Sequence, residues 1–153
     1  MTIGAKIKEL HSSLPQVVKL VAVSKFHPVE ALMEAYEAGQ RIFGESRVQE
    51  LLVKYETLPK DIEWQMIGHL QTNKVRQIVP FISLIQSVDS VRLAECINRE
   101  AERIGRVVDI LLEIHIAQEE SKTGWQYNSL VEYLQSGAFA ELRNIRVDRK
   151  SVV

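Results

Sequence analysis

Short apolar runs of strand length alternate along this chain with segments of helical spacing, and that alternation constrains the fold more than any other feature. Leu20-Val21-Ala22-Val23-Ser24 is continuous and apolar, as suits a strand covered on both faces of a parallel sheet. Pro28 then opens a helix carrying Val29, Leu32, Met33 and Tyr36 on one face, and Gly39 stops it. The unit recurs. A strand is expected at 41–44. A helix follows, opened by a Ser46-x-x-Gln49 capping box and carrying Val48, Leu51, Leu52 and Tyr55. Further strands are expected at 64–68, 81–88 and 107–117, with helices at 71–79 and 127–136 and one that Ser90 caps and Gly105 ends, carrying Leu93, Ala94, Ile97, Ala101 and Ile104 inward. A leading helix covers 3–14, and a sixth strand is placed near 142–147.

Alternation of this kind builds a parallel sheet, either doubly wound or closed into a barrel. In both architectures ligands sit at the carboxyl ends of the strands. Here those ends are polar in every unit: Ser24-Lys25, Gly44-Glu45-Ser46, Gly68-His69, Asp89-Ser90 and the loop 118–124. Polar tips on every strand suit a barrel mouth, whereas a doubly wound sheet concentrates its site at one switch point. The expected fold is therefore α/β, a TIM-like (β/α) barrel with five to six of the eight units present.

The 153 residues match one domain, with no linker or compositional break to divide them. Nineteen basic against 20 acidic residues give a net charge of −1, which argues against a nucleic-acid surface. The single cysteine, Cys96, excludes an internal disulfide and a cysteine-rich metal site. The absence of a long apolar run argues against a membrane span, and a cytoplasmic protein is expected. The four histidines, His11, His27, His69 and His115, form no pair at metal spacing, and no phosphate-binding glycine loop or nucleophile elbow is present.

Lys25 is the first candidate for chemistry. Burial at a strand tip disfavours the charged form of an amine and makes it a nucleophile toward aldehydes. A lysine that extends from the barrel mouth, or binds an anion, is the plainer reading. His69, after Gly68, would project over the mouth to stack on or hydrogen-bond a planar ligand; a histidine satisfied by backbone is the plainer reading. Ser46 is explained by capping alone. The loop Gln118-Glu119-Glu120-Ser121-Lys122-Thr123-Gly124 reads by itself as solvated.

Taken in order, the strand tips are Leu20–Lys25, Phe43-Gly44-Glu45-Ser46-Arg47-Val48-Gln49-Glu50, Trp64–Lys74 with its Gly68-His69-Leu70-Gln71, Ser87-Val88-Asp89-Ser90, and Ser121-Lys122-Thr123-Gly124. This set resembles the YggS/PROSC-like pyridoxal phosphate homeostasis family over about residues 3–145. The resemblance implies a barrel of pyridoxal phosphate fold type III, similar to the N-terminal domain of alanine racemase. It implies pyridoxal 5′-phosphate as cofactor, held as a Schiff base on Lys25. It further implies Ser46, His69 and Lys122 as cofactor-binding residues, with Lys122 a secondary amine. Serine at 46 replaces the family's asparagine and so loses the amide donors.

The resemblance also implies a role in cofactor homeostasis without established turnover, as a monomer, with pyridoxal phosphate-dependent apoenzymes as partners. A racemase-like enzyme and a fragment unable to hold the cofactor tightly are the alternatives. Family members continue beyond residue 153 into further strands, and residues 146–153, with four charges, are expected to be an atypical tail outside a barrel of residues 1–145. The chain is thus read as C-terminally shortened, without the late loops that hold the phosphate.

Overall fold

A computed structural model describes residues 2–116 and 124–152, the last four as backbone. Helix α1 (Ile3–Ser13) precedes β1 (Ala22–Val23), α2 (Val29–Glu37), β2 (Ile42–Glu45), α3 (Val48–Thr57) and β3 (Glu63–Met66). A 3₁₀ turn (Thr72–Lys74) runs into the single-turn α4 (Val75–Ile78). Then come β4 (Leu84–Val88), α5 (Val91–Arg103), β5 (Val108–Ile114), α6 (Tyr127–Gln135), a 3₁₀ turn (Ala138–Glu141) and β6 (Ile145–Val152).

The six strands form one sheet in the order β1-β2-β3-β4-β5-β6, every pairing parallel. That order decides between the two architectures. A doubly wound sheet reverses direction at a switch point; this one never does. Right-handed crossovers advancing in one direction place every helix on the same side. The result is a stretch of barrel wall, helices outside, with β1 and β6 each paired on one side only among the described residues.

The two faces of the wall differ chemically. Phe43, Trp64, Met66, Ile85, Ile110 and Leu112 lie toward the helices and are at most 1% exposed. The Phe43 and Trp64 rings meet at 5.9 Å. Against them pack Leu32 and Ala35 of α2, Leu51 of α3, Ile78 of α4, and Leu93, Ala94, Ile97 and Ala101 of α5. The concave face carries one register row across all six strands: Val23, Gly44, Gln65, Leu84, Asp109 and Arg146. Gln86 Nε2 donates to Gln65 Oε1 at 2.6 Å, and Arg146 forks onto the Asp109 carboxylate at 2.7 and 2.8 Å.

Several expectations are corrected. β1 is two residues long rather than five, and Val23 is 54% exposed, because an edge strand has a partner on one side only and its concave face is uncovered. The 71–79 helix is a 3₁₀ turn plus one α-turn, and Ile104 is 40% exposed rather than inward. Residues 146–152 continue β6 alongside β5, with a register irregularity between Ile110 and Leu111. The Arg146 charge is compatible with a strand because its guanidinium meets the Asp109 carboxylate on the concave face instead of entering a core.

Candidate functional site at the carboxyl edge of the sheet

Lys25 stands in the turn between β1 and α2, exposed rather than buried as expected. The strand ends at Val23, so Ser24 takes the buried position, 3% exposed, and the chain has already turned outward at Lys25. Its ammonium has no hydrogen-bond or ion-pair partner among the described residues and lies 5.8 Å from the centroid of the Phe26 ring. The Arg47 guanidinium lies 5.2 Å from the same ring. Phe26 has φ +66°, a left-handed conformation that costs a non-glycine residue about 1–2 kcal/mol.

A polar cluster beneath the turn compensates. Lys54, from α3, is 4% exposed. Its three ammonium protons go to the Ser24 carbonyl at 2.7 Å, Glu45 Oε1 at 2.6 Å and Glu50 Oε1 at 2.8 Å. The Ser24 hydroxyl donates to Glu45 Oε1 at 2.6 Å, and the Phe26 amide donates to Glu50 Oε1 at 2.7 Å. The hydrogen bond from Lys54 holds the Glu50 carboxyl below its ordinary value; the Phe26 amide and the Lys54 and Arg47 charges act the same way, against partial desolvation. Glu45 is fully buried, and its Oε2 has no hydrogen-bond partner among the described residues. This cluster escaped the sequence reading. The available signal was Glu50 and Lys54 at i,i+4 on a helix, which ordinarily marks a solvated pair.

Ser46 does not cap α3. The N-cap is Arg47, without a side-chain hydrogen bond, so the capping box is not formed. Instead Ser46 lies against Gly68: a Cβ at 68 would sit 2.5 Å from the Ser46 carbonyl oxygen. Glycine there lets the β2–α3 and β3–α4 loops touch backbone to backbone. Between them is a cavity of about 280 Å³ lined by Ser46, Arg47, Gln49, His69, Gln71 and Lys74. His69 is not satisfied by backbone; its Nδ1 lies 3.4 Å from Asp89 Oδ2, joining the tips of β3 and β4. Ser90, next in sequence, accepts from the Leu93 amide at 3.2 Å and caps α5 as expected.

Lys25, Ser46 and His69 therefore share the carboxyl edge, and Arg47 touches both the Phe26 ring and the Ser46–His69 cavity. Lys122 lies outside the described residues, with most of the 118–124 loop. Among the described residues no three His, Cys, Asp or Glu side chains gather to hold a metal. Among the same residues no helix is long and apolar enough to cross a membrane.

The family model described as alanine racemase, N-terminal domain, matches residues 2–148. A pyridoxal phosphate homeostasis protein of Schizosaccharomyces pombe is 42% identical over 117 residues, covering 75% of this chain and 49% of that protein. The chain spans about half the length of the curated relatives it matches. The solved structure of PipY from Synechococcus elongatus with PLP bound is 38% identical, with TM-score 0.90 over 99% of this chain and 70% of that one. Alanine racemase from Streptomyces lavendulae, 16% identical, shares the fold with TM-score 0.78 over 98% of this chain and 40% of its own. This chain belongs to the alanine racemase N-terminal domain family, among relatives named pyridoxal phosphate homeostasis proteins.

Proposed function

We propose that the chain binds pyridoxal 5′-phosphate through Lys25 and serves cofactor homeostasis, holding the cofactor rather than turning over a substrate. When bound, the cofactor supplies an aldehyde carbon with which a lysine amine condenses, forming a C=N bond and releasing water. The observation that carries the reading is the Lys25 amine itself, without an ion pair among the described residues and set at the carboxyl edge of β1. Other features support it. Gly68 brings the Ser46 hydroxyl and the His69 ring to adjoining loops, where each can reach a planar ligand from the same edge. A relative 38% identical is solved with PLP bound. Lys122 would add a second amine from the segment after β5. The names of the relatives favour homeostasis over catalysis. In this reading a cytoplasmic monomer hands the cofactor to apoenzymes.

Titration of the purified chain with pyridoxal phosphate, followed by borohydride reduction and peptide mass spectrometry, tests this. Saturable labelling at Lys25, lost in Lys25→Ala, is expected. Labelling scattered over exposed lysines, or unchanged in Lys25→Ala, overturns it.

A further inference from the structure

The proposed role of Lys25 leaves unexplained why the chain invests a buried lysine and two glutamates directly beneath it. We propose that Lys54 and Glu50 are positioning residues that hold the Lys25 turn in one backbone geometry, so that its amine is presented to a ligand aldehyde from a fixed point on the edge. This inference rests on the reading of Lys25 as the cofactor amine, but its structural core is testable without cofactor.

The argument is one of bracketing. Lys25 has one anchored neighbour on each side. On its N-terminal side, the Ser24 carbonyl accepts from Lys54 Nζ at 2.7 Å, and the Ser24 amide donates to the Gly44 carbonyl at 3.0 Å. On its C-terminal side, the Phe26 amide donates to Glu50 Oε1 at 2.7 Å. Lys54 and Glu50 are themselves joined at 2.8 Å, so the two anchors form one unit reaching from α3. Glu45, from β2, takes the third Lys54 proton and the Ser24 hydroxyl, tying the unit to the sheet. Phe26 at φ +66° is a conformation the surroundings must hold: the His27 amide closes the turn onto the Ser24 carbonyl at 3.1 Å, and the Glu50 carboxylate accepts the Phe26 amide that this turn leaves outside its own hydrogen bond. The Lys25 ammonium, by contrast, has no hydrogen-bond or ion-pair partner among the described residues. Restricting the backbone while leaving the side chain's amine free is what preorganisation of a nucleophile requires.

Glu50 is the useful position for a test, because its side chain is 23% exposed and its removal leaves no fully buried void. Amide exchange of the cofactor-free protein, read residue by residue by NMR, supplies the first readout. Glu50→Ala is expected to speed exchange at Phe26 at least about tenfold, while β3 and β4 amides are unchanged. Glu50→Gln, whose amide oxygen can still accept from Phe26, restores most of the protection. Borohydride trapping supplies the second readout. Half-saturation at Lys25 is expected to need about tenfold more pyridoxal phosphate in Glu50→Ala, with Glu50→Gln near the parent. Unchanged Phe26 exchange in Glu50→Ala overturns the proposal, as does faster exchange with unchanged trapping at Lys25. If the parent chain is not labelled at Lys25, the cofactor reading fails, and the exchange data alone decide whether the turn is held as described.

Discussion

The ammonium nitrogen of Lys54 lies 2.6 Å from Oε1 of Glu45, with the two side chains 5% and 0% exposed. Such a pair is a poor source of net stability, since desolvation consumes most of its attraction, but removing one partner strands the other charge. Lys54→Met is therefore expected to cost about 3–5 kcal/mol in urea unfolding. Adding Glu45→Gln should recover part of that loss, because an amide can be buried without a counter-charge. A loss below about 1 kcal/mol would show that water reaches the pair.

Acid should act on the same cluster through Glu50. Its folded-state carboxyl is held below the ordinary 4.5, chiefly by the hydrogen bond from Lys54. A depressed folded value means the contribution is complete above the unfolded value and is lost as pH falls from there through the folded one. Unfolding free energy is expected to decline over that interval in the parent, and Glu50→Gln should flatten the decline. Equal slopes for the two proteins would mean that other carboxylates carry the acid sensitivity.

Gly68→Ala tests the contact that joins the Ser46 and His69 loops. The new Cβ would stand 2.5 Å from the Ser46 carbonyl oxygen and 2.8 Å from its Cα, so backbone must move. A loss of about 1–3 kcal/mol is expected in thermal or urea unfolding. Gly4→Ala in α1 is the control: its Cβ would find ordinary contact at 3.5 Å, and stability should stay within about 1 kcal/mol of the parent. Equal effects at the two positions would rule out a special close approach at Gly68.

Elements whose signals are local were legible. Ser90 before an apolar helical face reads as a cap and is one, and the runs around Trp64, Ile85 and Ile110 are strands whose apolar residues are buried toward the helices. The 46–49 box misled because its local pattern is sound. A competing contact, Ser46 against Gly68, took the serine and left Arg47 at the helix start. The sixth strand was read as too short because charge density counts against a buried strand, and Arg146 faces Asp109 on an uncovered face instead. Of the candidate site, Lys25, Ser46 and His69 were legible as polar residues at strand ends, while Lys54 and Glu50 looked like an ordinary surface pair.

The sequence by itself determined that this chain would alternate strands and helices, bury one face of a parallel sheet and gather its polar strand tips on one edge. Those outcomes follow from hydrophobic period and turn chemistry, which act within a few residues. Only the tertiary structure decided that the strands run in unbroken order as a barrel wall and that Lys25 is exposed. It alone placed the buried charge at Lys54, beneath the turn that carries Lys25. Burial of a charge depends on partners from other elements, here Glu45 on β2 and the Ser24 carbonyl after β1, and no pattern along α3 encodes where those will lie.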